Sequence, residues 1–273
     1  MTAQSVPWLF SHPWLHWVFE SAAYTIGFWI YSREKRASGD FLAASDRLSV
    51  VAAAIVGAAL GSKILSWFET PVETLAHWNN LQYLMQGKTI VGGLLGGTIA
   101  VEITKRMIGV TRRTGDLFAV PICVGTAVGR IGCFFAGLPD QTYGVATALP
   151  WGIDFGDGVR RHPTQLYEVS FVLGLAWVLA KMRPVREGDR FRAFLVAYLA
   201  FRLAIEFWKP GVAVFGGLTA IQWACVAALV WYAKDLPYLV RLPGREGDGR
   251  LANGDRGPFP NGRDSIQELD NGG

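Results

Sequence analysis

Seven apolar runs, most of them close to twenty residues, recur along the chain at about 14–31, 48–68, 89–109, 116–136, 164–181, 191–208 and 218–237. A helix needs about 20 mostly apolar residues to cross the hydrocarbon of a bilayer, so the runs predict an all-α polytopic membrane protein of about seven spans. Only 18% of the 273 residues are charged, against about 25% in soluble domains. The first run has no Lys or Arg before it and so lacks the basic flank of a cleaved signal peptide; it is expected to be a retained span.

The basic residues alternate in step with the runs. The segments 32–47, 105–115, 181–192 and the stretch from 234 hold 19 Lys and Arg, whereas 1–13, 69–88, 137–163 and 209–217 hold 4. Cytoplasmic flanks carry the excess of basic residues, which places the N-terminus outside and the C-terminus in the cytoplasm. The organisation expected is an outer arm at 1–13, a membrane domain at 14–237 with a small, turn-rich outer head at 137–163, and a disordered cytoplasmic tail at 238–273. The net charge of +4 is accounted for by this pattern, and no nucleic-acid partner is expected. Cys123, Cys133 and Cys225 have no metal-like spacing and read as structural thiols; no metal or cofactor is expected.

Three of the 26 basic residues lie inside the runs: Lys63, Arg130 and Arg202. Ionisable groups inside a membrane are costly and point to function. With the orientation above, all three fall in the outer half, together with Glu20 and Glu168. Tyr198, Arg202 and Glu206 follow one another at i, i+4 and i+8 and share a helix face; Arg202 and Glu206 form either a structural ion pair or part of a binding site. Arg130 stands between Gly129 and Gly132. Two guanidinium forks suit the oxygens of a phosphate, so Arg130 and Arg202 are candidate ligands of an anionic lipid headgroup, with Lys63 either assisting or reaching for the outer interface. Gly92 and Gly93 open the third run and signal close helix packing or a lipid groove. His162, Pro163 and Gln165 open the fifth run as a cap, and Arg160, Arg161 and His162 together could receive an anionic headgroup. Asp116 begins the fourth run, where a helix cap is expected.

The motifs Gly129-Arg130-Ile131-Gly132, His162-Pro163-Thr164-Gln165-Leu166-Tyr167-Glu168, and Tyr198 through Arg202 to Glu206-Phe207 occur in that order. Together they resemble the prolipoprotein diacylglyceryl transferase family, over about residues 20–235. The resemblance implies seven spans in a bacterial cytoplasmic (inner) membrane. It implies transfer of a diacylglyceryl group from phosphatidylglycerol to the lipobox cysteine of a prolipoprotein signal peptide, with release of glycerol phosphate. Arg130, Arg202 and Tyr198 match the family's key positions; Glu206 is the remaining catalytic candidate. Lys63, Gly92, Gly93, His162 and Gln165 are the further substrate-binding candidates. Four positions depart from the family pattern: Val91 stands where it has His, Cys133 where it has Asn, Phe135 or Ala136 at a second Asn, and Lys63 at an Arg. The missing histidine leaves open an enzyme of the same fold with another acceptor. A lipid transporter or a non-catalytic lipid-binding protein is the third class; a transporter is disfavoured because the intramembrane bases lie in one half.

Overall fold

The computed structural model describes residues 14–39, 42–182, 184 and 186–239; the expected outer arm and nearly all of the expected tail lie outside these residues. The described chain is almost wholly helical. The predicted runs are occupied by α1 (Trp14–Ser38), α2 (Ala44–Glu69), α5 (Ile90–Met107), α6 (Asp116–Ala136), α7 (Thr164–Lys181), α8 (Asp189–Ile205) and α9 (Ala220–Tyr232). Two short helices, α3 (Pro71–Ala76) and α4 (Leu81–Met85), lie between α2 and α5, and α10 (Leu236–Leu239) follows α9. Among the described helices, α2 and α6 are long and apolar enough to cross a membrane by length and composition. Large apolar side chains stand exposed on the outer faces, including Ile55 and Leu60 on α2, Trp177 and Val178 on α7, and Val230 and Trp231 on α9. Faces of this kind call for a non-aqueous surrounding.

The most extensive helix packing joins α2 to α5 and α1 to α6. The α2–α5 seam is built on glycines four residues apart on both helices. A Cβ added at Gly61 would overlap the carbonyl oxygen of Gly92, and one at Gly57 would overlap that of Gly96; the reverse substitutions meet the same backbone. Small residues at this spacing let backbones touch, which is how helices associate where lipid tails remove the hydrophobic drive. Gly92 therefore serves helix packing, and Gly93 faces the Ala58 carbonyl across the same seam.

Polar contacts tie the two ends of the bundle differently. At one end Asp116 accepts from the backbone N–H of Gly188 (2.7 Å) and of Phe191 (3.0 Å). It thus satisfies the start of α8 rather than capping its own helix, because α8 begins against α6. Arg190 reaches Glu34 of α1 at 3.4 Å, and Arg192 reaches Asp235 at 3.3 Å. At the other end, the 137–163 segment forms a small head containing the antiparallel pair β1 (Ile153–Asp154) and β2 (Arg160–Arg161), with Ile153 opposite Arg161. Asp154 closes the hairpin by accepting from the backbone N–H groups of Gly156 and Gly158. The head is fastened to α7 by Thr164, whose hydroxyl donates to the Thr142 carbonyl (2.7 Å), and by Gln165, whose amide donates to the Thr142 hydroxyl (3.1 Å). The expected His162–Gln165 cap is not formed: α7 starts at Thr164 without a side-chain cap, and Gln165 is spent on the head. α9 does carry a full capping box, with Thr219 and Gln222 each accepting from the other's backbone N–H.

Replacing Gly61 or Gly96 with Val forces α2 and α5 apart and is expected to cost about 1–3 kcal/mol, the usual range for overpacking. Thermal unfolding of the protein in detergent reads the effect, and an unchanged melting temperature would contradict the backbone contact.

Candidate functional site

Three helices deliver charge to one buried point. Arg130 comes from the last turns of α6, Glu168 from the second turn of α7, and Tyr198 and Arg202 from one face of α8, with Glu206 in the 3-10 turn that continues it. Arg130 Nε lies 2.9 Å from Glu168 Oε2, and Arg202 Nη1 lies 3.7 Å from the same oxygen. Tyr198 donates its hydroxyl proton to Glu168 Oε1 at 2.6 Å, and Arg202 Nη2 donates to Glu206 Oε2 at 2.9 Å. Glu168 is 1% exposed. Buried charges persist only when paired, because desolvation of an isolated ion costs several kcal/mol. Here a chain of alternating sign, Glu206–Arg202–Glu168–Arg130, meets that requirement.

The pairing does not exhaust the guanidinium donors. Arg130 Nε, despite its proximity to Glu168, makes no aligned hydrogen bond, and Arg202 Nε and Nη1 also lack partners while buried. Two convergent guanidinium groups suit a polyoxygen anion, which accepts several charge-assisted bonds at once.

Both arginines border a cavity of about 1420 Å³, well above the ~300–1,000 Å³ of pockets for drug-sized ligands. Arg130, Arg202, Glu206 and Lys209 contribute charged groups to its wall, and residues such as Phe28, Val51, Phe118 and Ile122 add apolar lining from α1, α2 and α6. Lys209, just beyond α8, was not singled out from the sequence. Burial, and then the charges of Arg202 and Arg130, push its ammonium down to about 7, against the opposing pull of Glu168 and Glu206.

Of the substrate-binding candidates, Arg130 and Arg202 line the cavity, and Glu206 joins them there. Tyr198 acts on Glu168 rather than directly on Arg202. Lys63 is directed elsewhere: its ammonium donates to the carbonyls of Met85, Gln86 and Gly87, closing the end of α4. His162 is buried with Nδ1 3.2 Å from the Tyr167 hydroxyl, away from the cavity lining. The basic cluster beside it is also engaged within the head. Arg160 donates to the carbonyls of Leu149, Pro150 and Gly152, and Arg161 pairs with Asp157. Glu168, the carboxylate between the arginines, is the main omission from the candidate set. Its signal in the sequence was its place at the end of the His-Pro-Thr-Gln-Leu-Tyr-Glu run, in the outer half with both arginines.

A buried arginine pair on a large cavity, within helices whose outer faces are apolar, is the setting of a membrane protein. The profile of the prolipoprotein diacylglyceryl transferase family matches residues 15–233, and the chain belongs to that family. Similar proteins bear the name phosphatidylglycerol–prolipoprotein diacylglyceryl transferase. The one from Bordetella bronchiseptica is 29% identical over 251 residues, covering 85% of this chain and 93% of its own. That from Aromatoleum aromaticum is 32% identical over 194 residues, covering 66% and 69%, and that from Bordetella avium is 32% identical over 208 residues, covering 70% and 76%.

Two outcomes are expected. Glu168→Ala strands two buried guanidiniums and should destabilise the protein by about 3–5 kcal/mol, as loss of one member of a buried pair does; denaturation in detergent measures it. Binding of anionic lipid, followed by the quenching of tryptophan by brominated phosphatidylglycerol, should weaken as pH rises through about 7, where Lys209 loses its positive charge. Lys209→Arg stays charged and should flatten that dependence.

Proposed function

We propose that the chain transfers the diacylglyceryl group of phosphatidylglycerol to the lipobox cysteine of a prolipoprotein signal peptide at the outer face of a bacterial inner membrane. The observation that carries this reading is the buried pair Arg130 and Arg202, both of which border a cavity large enough for a diacyl lipid. The seven long helices are read as seven spans, with the N-terminus outside. The family membership and the charge alternation of the connecting segments support that orientation.

In this reading the phosphate of the lipid lies against the free edges of Arg130 and Arg202. The acceptor thiol gives up its proton to water in the cavity, its sulfur attacks the glyceryl carbon to form the C–S bond, and the C–O bond to phosphate breaks with its electron pair leaving on glycerol phosphate. Both arginines stabilise the charge that grows on that leaving group, the kind of preorganised electrostatic contact worth about 10²–10³ in rate per donor. Glu168 holds the two guanidiniums at one point, Tyr198 fixes Glu168, and Glu206 fixes Arg202.

One observation favours a second reading, an enzyme of the same fold acting on another acceptor. Val91 occupies the position of the family histidine and is fully buried in the core between helices. No imidazole is therefore available there to accept the thiol proton.

The test is purified protein with phosphatidylglycerol vesicles and a lipobox peptide, with mass spectrometry for the thioether product. The proposal expects product from the wild type and at least about a 10²-fold loss in Arg130→Ala and Arg202→Ala. Absence of product from the wild type, with a working relative alongside, would favour the other acceptor.

A further inference from the structure

A second cluster of chemistry-bearing side chains sits beside the arginines. His16 near the start of α1, Cys133 in the last turn of α6 and Asp140 in the 3-10 turn after it each bring one donor atom to within 4.8 Å of the others. All three line the cavity. His16 Nδ1 lies 3.9 Å from Asp140 Oδ1, and this nitrogen is buried with no hydrogen-bond partner among the described residues. On the far side of the ring, Glu20 Oε2 stands 3.9 Å from His16 Nε2 and is likewise buried and unpartnered. Cys133 Sγ is 4.0 Å from Arg130 Nη1, so the cluster adjoins the phosphate-binding wall.

We propose that His16, Cys133 and Asp140 bind a zinc-class divalent cation whose fourth position opens to the cavity and takes the thiol of the acceptor. An imidazole nitrogen, a thiolate sulfur and a carboxylate oxygen form a donor set that suits zinc, and three protein ligands with one open position is the arrangement of catalytic zinc sites. Ligand bonds of about 2.0–2.3 Å ask these donors, now within 4.8 Å of one another, to draw closer together. Glu20 stands where a carboxylate orients a metal-bound imidazole through its other nitrogen.

The inference rests on the transfer reading above and supplies what Val91 removes. A free thiol has a pKa of about 8.5, whereas a coordinated thiol is deprotonated outright. The proton of the acceptor passes to water at the cavity mouth as the sulfur binds the cation. The thiolate electron pair then forms the S–C bond to the glyceryl carbon. The C–O bond breaks, and its electron pair leaves with glycerol phosphate toward Arg130, adjacent to the cluster.

The full-length protein in detergent, stripped with a chelator and reloaded with Zn²⁺ or Co²⁺, tests this. About one zinc per chain is expected by atomic emission. The Co²⁺ form should show a thiolate-to-cobalt absorption that intensifies with a lipobox peptide but not with its Cys→Ser analogue. Cys133→Ser should lose that absorption and, like Asp140→Asn, bind zinc at least about tenfold more weakly, whereas Arg130→Ala should keep the metal. No stoichiometric uptake by the wild type would overturn the site and leave a His16–Asp140 ion pair. Uptake without a response to the peptide, or full transfer activity in the stripped protein, would overturn the activation of the thiol. Metal and peptide spectra as expected with no thioether product would refute the transfer reading and leave the metal site standing.

Discussion

The carboxylate of Glu168 allows two arginines to remain inside the helix bundle. Arg130 and Arg202 both approach its Oε2, and Tyr198 donates to its Oε1, so one acid almost without solvent contact holds α6, α7 and α8 at a common point. Without it, two like charges would face each other in a medium where desolvation is expensive. The compensation is incomplete at the level of hydrogen bonds, because several guanidinium N–H groups remain unmatched.

The rest of the bundle leaves a cavity beside that cluster. The glycine seam brings α2 and α5 backbone to backbone. The opposite end of the bundle is tied by Asp116, Arg190 and Arg192 to the starts and ends of neighbouring helices. With packing concentrated at the seam and polar ties at the far end, α1, α2 and α6 can border a large cavity beside the arginines. The head is fastened to the first turn of α7 through Thr142. This sets the region around Asp140 over the end of α6 and brings Cys133 and His16 into the same wall.

The arginine pair was legible because charge inside an apolar run is rare enough to stand out, and because Tyr198, Arg202 and Glu206 repeat at one helical face. The partners of that pair were harder to read. Glu168 sits in a different run, and only the approach of α7 to α6 and α8 shows that its carboxylate bridges both arginines. Lys63 is hard to read for the complementary reason. A basic residue at the outer end of a run looks the same in sequence whether it faces a lipid or, as here, the carbonyls that end α4. The arginines of the head were read as an open patch, whereas the hairpin turns them onto its own carbonyls and onto Asp157.

By itself, the sequence determined the helical class, the positions of the long helices and the presence of costly cations within them, since the length and polarity of a segment act locally along the chain. The tertiary structure decided which charges meet. It placed Glu168 between Arg130 and Arg202, closed Gly92 against Gly61, and gathered His16, Cys133 and Asp140 from separate elements. Those outcomes depend on which helix faces pack together, and side chains far apart in sequence acquire a common environment only through that packing.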